Sequence, residues 1–321
     1  TIAHFFNASL ATAQWVPLIY LLTISSMLLF YGRLGDIWGY RLIYLIGLGC
    51  FVAASLFCGL APTIYFLIVF RALQGIGAGM MMAVPFAILT AVFEPHERGK
   101  AMGINAISIS AGLALGPTLG GLLTALWSWR LVFLINLPIG LIALLWGLKV
   151  IPDLKGKPGR MDFGGALTAF VSLLSFLFFI NHLQVDGWSL LSGSALGIAL
   201  LAGIAFLYFE SHLPDPMVNL DLFKNRTFSL GIISSLLNFA SQYTLVFLTP
   251  FYLQRVMNYS PEKIGFLMTS FPLAVMLVAP LSGALSDKFG SRRLAVLGSG
   301  LCAVALITMA YLPLMATAFV V

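Results

Sequence analysis

Arg71 interrupts a long apolar run, IYFLIVFRALQGIGAGM, and Gln74 follows three residues later. A guanidinium about seven residues, or roughly 10 Å, inside a membrane-length helix is costly to desolvate, so by default it marks a functional site turned toward the bundle interior. Positions three apart share a helix face, which puts Arg71 and Gln74 side by side. A structural arginine reaching to backbone carbonyls or to the membrane interface would occupy the same kind of position. The second set of charges lies in GRLGDIWGYR, where Arg33, Asp36 and Arg41 are interleaved with Gly32 and Gly39. Opposite charges this close can latch one element against another in a single conformation, or can simply be solvated.

The elements that hold these groups must be membrane helices. Hydrophobic residues make up 60% of the 321 and charged residues 9%, and the mean hydropathy is +1.01. Apolar runs near the length of a bilayer core recur down the chain, and they are too long for barrel strands. Ten spans are expected, near 14–31, 42–61, 64–92, 102–126, 131–151, 163–181, 190–209, 228–253, 264–285 and 294–313. The net charge of +6 does not point to nucleic acid, because the basic residues sit in short connections between apolar runs. With GRLGDIWGYR inside, thirteen Lys/Arg fall on the cytoplasmic side against three outside, which sets the orientation. Cys50, Cys58 and Cys302 have no metal spacing and read as free, buried thiols.

Shifted by 251 residues, the chain matches itself without a gap. Asn7 meets Asn258, Ser9 meets Ser260, Gly32 meets Gly283, Asp36 meets Asp287, Gly39 meets Gly290 and Arg41 meets Arg292. The reading is an internal repeat of two related membrane halves, with GRLGDIWGYR and GALSDKFGSRR as loops at equivalent places. The presence of Asp287 and Arg292 in the second copy strengthens the latch reading of the first. The offset accommodates eight spans where a six-helix repeat needs six, so two helices, 163–181 and 190–209, are expected as an insertion. The orientation places Thr1 outside, and the second copy stops at Val321 opposite Phe70. The chain therefore reads as a fragment, with a helix expected before Thr1.

Gly103, Gly112, Gly116, Pro117, Gly120 and Gly121 fall in one span, with Gly112, Gly116 and Gly120 on one face. Such a face gives close helix contact with a bend, for packing or for a mechanism. Gly75 and Gly79 offer another helix a similar approach. Asn238 and Gln242, one turn apart in an apolar span, either line a polar cavity or hydrogen-bond between helices. No Asp or Glu lies mid-span, so if proton coupling needs a membrane carboxylate, that group is expected in the helix before Thr1, or a histidine such as His182 replaces it.

At these residues the chain resembles the major facilitator superfamily, in its 14-helix drug:proton antiporter branch. GRLGDIWGYR is similar to the family's signature between helices 2 and 3. Arg71, Gln74, Gly75 and Gly77 resemble its R-x-x-Q-G-x-G signature, and Gly103 through Gly121 its antiporter motif. Trp129, Arg130, Phe133, Asn136 and Pro138 resemble the run opening helix 6. The resemblance implies an all-α polytopic membrane protein of major-facilitator-type helical bundles, about ten transmembrane helices of a 14-helix parent. It implies an N-terminal bundle over 1–151 lacking helix 1, linkers and two inserted helices over 152–227, and the start of a C-terminal bundle over 228–321.

The function implied is proton-coupled export of hydrophobic or cationic small molecules by alternating access, at the cell membrane. Arg71 and Gln74 would serve proton coupling. Gly32, Arg33, Asp36, Gly39, Arg41, Asp287 and Arg292 would form the cytoplasmic gate. The glycine-rich helix with Pro117 would form the antiporter contact, and Asn238 with Gln242 would line the substrate cavity. The partners expected are a small-molecule substrate, protons and membrane lipid, with no nucleic acid, metal or cofactor. The alternatives are a substrate:proton symporter and a non-transporting sensor or scaffold on the same fold. A membrane enzyme has no support, since no span carries a Ser/His pair or a His/Asp/Glu cluster.

Overall fold

The computed structural model describes residues 2–159, 161–213 and 216–318, without the side chains of Leu10, Pro117, Thr118, Asp186, Pro261, Glu262, Ala310 and residues 312–318. The described residues form helices α1 (Ile2–Phe5), α2 (Leu10–Trp38), α3 (Tyr40–Leu60), α4 (Ile64–Ala83), α5 (Pro85–Val92), α6 (Arg98–Leu126), α7 (Leu131–Leu134), α8 (Asn136–Val150), α9 (Phe163–Asp186), α10 (Leu190–His212), α11 (Arg226–Arg255), α12 (Pro261–Phe289) and α13 (Ser291–Ala318), with a 3₁₀ turn at Leu220–Lys224. Among the described residues ten stretches are long and apolar enough to cross a membrane, and they coincide with the ten expected spans. Two of them are broken helices. Val84, followed by Pro85, which lacks an N–H, separates α4 from α5, and Ile135 separates α7 from α8.

The two glycine-rich signatures are not loops, contrary to expectation. Helix α2 runs through Gly32–Trp38 and α12 through Gly283–Phe289, so one glycine alone separates each helix from the next. Gly39 (φ 98°, ψ 135°) and Gly290 (φ 86°, ψ 141°) take a backbone conformation that a Cβ would strain, which is how one residue turns the corner. Their N–H groups donate to Gly35 O and Ser286 O, both at 2.9 Å. The polar residues that end the apolar runs do not end the helices, because helix propensity and hydropathy are separate properties.

The repeat extends to local geometry. Asn7 (φ 49°) and Asn258 (φ 53°) are the two non-glycine residues with positive φ among those described. Ser9 and Ser260 each cap the next helix, accepting from Thr12 N–H at 3.1 Å and from Lys263 N–H at 3.4 Å.

The chain divides into two compact units, residues 1–91 with 117–224, and residues 92–116 with 225–321. In the first, α4 packs between α2 and α3, α8 lies on α3, and the α9–α10 hairpin lies on α2. Glycines let the backbones meet. A methyl on Gly75 would sit 2.9 Å from Tyr20 O of α2, and one on Gly77 would sit 2.6 Å from Gly47 O of α3. Two buried clusters fill this unit, one around Val16, Cys58, Leu67, Trp129 and Phe133, the other around Tyr31, Leu34, Ile43 and Val84. Residues 154–157 lie against the α2–α3 corner, where Lys157 N–H donates to Asp36 O at 2.8 Å. In the second unit α12 contacts α11 and α13, and the first turns of α6 lie on α12, with Gly103 closest to Ala279 and Pro280.

Candidate functional site

Arg71 points from α4 toward α2. Its Nε donates to Val16 O at 3.1 Å and its Nη1 to Gln74 Oε1 at 2.6 Å. The guanidinium carbon lies 4.0 Å from the centre of the Tyr20 ring and 5.6 Å from that of Phe133, so two aromatic faces hold the charge by cation–π attraction. Gln74, 1% exposed, passes the network on through Nε2, which donates to Ser55 Oγ of α3 at 2.7 Å; Ser55 donates in turn to Phe51 O at 2.7 Å. Both readings of Arg71 are thus represented, since it reaches a backbone carbonyl and also heads a polar chain through three helices. Every partner it has among the described residues is neutral. Tyr20, Ser55 and Val16 O were missed in the sequence, because they lie 51, 16 and 55 positions from Arg71 and have no motif of their own.

The residues of the first corner work on helix ends. Arg41 Nη2 donates to Leu148 O at 2.6 Å, in the last turn of α8, where carbonyls lack intrahelical donors. Asp36 accepts from Tyr40 Oη at 2.5 Å. Gly32 has open space around it, while a Cβ on Gly39 would meet Leu154 O at 2.5 Å. In the second copy Asp287 receives Gly99 N–H at Oδ1 (2.8 Å) and Lys100 N–H at Oδ2 (2.9 Å). These are N–H groups of the first turn of α6, so a carboxylate sits on the positive end of a helix. Arg292, at the start of α13, lines an open depression of about 530 Å³ with Arg293, Val296 and Leu297.

Gly103 packs on α12, whereas Gly112, Gly116, Gly120 and Gly121 have nothing within 4 Å of an added Cβ. The side chain of Pro117 lies outside the described residues. Gln242 Nε2 donates to Asn238 Oδ1 at 2.7 Å, so the hydrogen bond given for this pair runs within α11 and not between helices. Arg130 caps α3, donating from Nη1 to Gly59 O (2.7 Å) and Ala61 O (3.0 Å), with the Trp129 ring 4.7 Å away. Among the described residues no group of three or more His, Cys, Asp and Glu is placed to hold a metal.

A comparison with protein families matches the Major Facilitator Superfamily over residues 1–321. The riboflavin transporter RibZ of Clostridioides difficile is 33% identical over 97% of this chain and 68% of its own length. The transporter YebQ of Escherichia coli is 34% identical over 98% and 69%. The multidrug resistance protein Stp of Mycobacterium tuberculosis is 33% identical over 87% of this chain and 52% of its own length. Matched from end to end, and carrying ten membrane-length helices among its described residues with a half-buried arginine network, the chain belongs to the major facilitator superfamily, as a multi-pass transporter of the cell membrane and not an enzyme.

Proposed function

We propose that the protein is a proton-coupled secondary active exporter of hydrophobic or cationic small molecules, working by alternating access. The observation that carries this reading is Arg71, a half-buried guanidinium inside a membrane-length helix whose partners among the described residues are all neutral. Its positive charge is left to act on whatever approaches. A carboxyl brought beside it gives up its proton, and one moved away takes a proton back, which is the elementary step of coupling. Gln74 holds the guanidinium in place by accepting from it.

Asp287 on the first turn of α6 supplies a contact that exists only while α12 and α6 stay together, as a latch requires. Gly32, Arg33, Asp36, Gly39, Arg41 and Arg292 are assigned to the gate at the two corners, the glycine face 112–121 to the antiporter contact, and Asn238 with Gln242 to the substrate cavity. Protons, membrane lipid and a small molecule are the partners. The name of Stp favours drug-like substrates. The name of RibZ favours a second reading, transport of one defined metabolite.

Dye accumulation in inverted vesicles under a proton gradient tests the proposal. Ionophore-sensitive accumulation that Arg71→Ala abolishes is the expected result. Accumulation that persists in Arg71→Ala removes Arg71 from coupling. None in folded wild type directs attention to riboflavin-like substrates, uptake and sensing.

A further inference from the structure

Two carboxyl groups that the transport reading leaves unused are buried together at the base of the α9–α10 hairpin. Asp162, 9% exposed, is the N-cap of α9, and Glu210, 3% exposed, lies in the last turn of α10. Each has one satisfied oxygen. Asp162 Oδ1 accepts from Gly165 N–H at 2.8 Å, and Glu210 Oε2 accepts from Val218 N–H at 2.9 Å. Each also has one buried oxygen with no hydrogen-bond partner, Asp162 Oδ2 and Glu210 Oε1. The two unsatisfied oxygens converge on the same glycine. A methyl on Gly165 would collide with Asp162 Oδ2 and lie 3.1 Å from Glu210 Oε1.

We propose that Asp162 and Glu210 form a proton-binding site separate from Arg71, holding one proton between them. The protonated carboxyl donates its O–H to the other carboxylate, so no bond is left unmade and the pair carries one negative charge. Two bare carboxylates in this position would repel each other and leave two buried acceptors without donors, each a substantial desolvation cost. Among the described residues, the charged groups that act on Glu210 are Asp162 and, more weakly, Arg33 of α2. A metal cation fits less well, because calcium or sodium takes about six oxygen ligands, and here two are free beside a guanidinium. Arg33, whose charge reaches Glu210, belongs to the same turn of α2 as Asp36. Loss of the shared proton would add a second negative charge between the start of α9 and the end of α10 and loosen the base of the hairpin. The inference does not depend on what the protein transports.

Infrared difference spectra of the full-length protein in lipid nanodiscs at neutral pH read this directly. The variants are Asp162→Asn and Glu210→Gln, which retain an oxygen for the Gly165 and Val218 amides, and the two combined. The expected result is one protonated-carboxyl band in wild type, lost completely in either single variant, because the remaining carboxyl ionises beside Arg33. Independent acids would each remove only their own share of the band, and two ionised acids would give no band to remove; either outcome overturns the proposal. Gly165→Ala keeps both acids but drives a methyl between them. It should abolish the band, and a band surviving in folded Gly165→Ala also overturns the proposal, even where the acid variants fail to fold.

Discussion

The α3–α4 seam allows a prediction whose size follows from the geometry. In Gly77→Ala the new methyl would stand 2.5 Å from Phe51 N and 2.6 Å from Gly47 O, both backbone atoms of α3 that no rotamer change can move. Carbon does not approach such atoms closer than about 3 Å, so the helices must part by roughly half an ångström along this stretch. A gap of that size forfeits about a quarter of the dispersion energy of each contact it opens, at about 0.1–0.2 kcal/mol per atom pair at full depth. Spread over the several tens of atom pairs of a close helix seam, the loss is about 1–3 kcal/mol, in the range of measured overpacking. Gly49→Ala provides the control in α3 itself. It has nothing within 4 Å, so only helix propensity acts, with a gain of up to about 1 kcal/mol. Thermal denaturation of the two variants in detergent, followed by fluorescence or by size-exclusion recovery, should place Gly77→Ala below wild type and Gly49→Ala at or above it. A Gly77→Ala protein as stable as Gly49→Ala would refute the reasoning, since α3 would then have room that the structure does not give it.

Other substitutions test the helix ends. Arg130→Ala leaves Gly59 O and Ala61 O without their charged donor and should lower stability by about 2–3 kcal/mol in the same melt. Asp287→Ala uncovers two N–H groups of α6 and should cost about 1–2 kcal/mol, at most about half of it recovered by Asp287→Asn, whose single amide oxygen replaces only one of the two acceptors, and faster deuterium exchange at Gly99 and Lys100 reports the loss locally. Gly39→Ala and Gly290→Ala impose the same backbone strain, about 1–2 kcal/mol. Gly39→Ala should cost more, because its methyl also meets Leu154 O while the space around Gly290 is open. Equal losses would mean that residues 154–157 give way freely.

Hydropathy made the ten spans legible, since a run of about 20 apolar residues has few alternatives in a bilayer. The 251-residue register went further than sequence matching usually does, because the matched residues hold special backbone positions: Asn7 with Asn258, Gly39 with Gly290, Ser9 with Ser260. Pairing of Arg71 with Gln74 was readable because both lie on one helix. What lay hidden were contacts set by tertiary packing. Arg41 reaches a carbonyl 107 residues away, and Arg130 reaches carbonyls 71 and 69 residues away. Glu210 attracted no attention as an acid at the end of an apolar run, where solvent is the ordinary expectation. Its burial depends on the chain folding back over it from Val218.

The one-residue corners also bear on how the chain reaches the membrane. Between Trp38 and Tyr40 there is only Gly39, and between Phe289 and Ser291 only Gly290. A nascent helix followed by a long polar loop can settle in the bilayer and wait for its successor. Here no slack exists for waiting, because the last turn of one helix is a single peptide from the first turn of the next. Helices α2 and α3 must therefore leave the insertion machinery as one hairpin, and so must α12 and α13. The glycine that sets the angle between them in the finished protein also fixes the unit in which they are delivered.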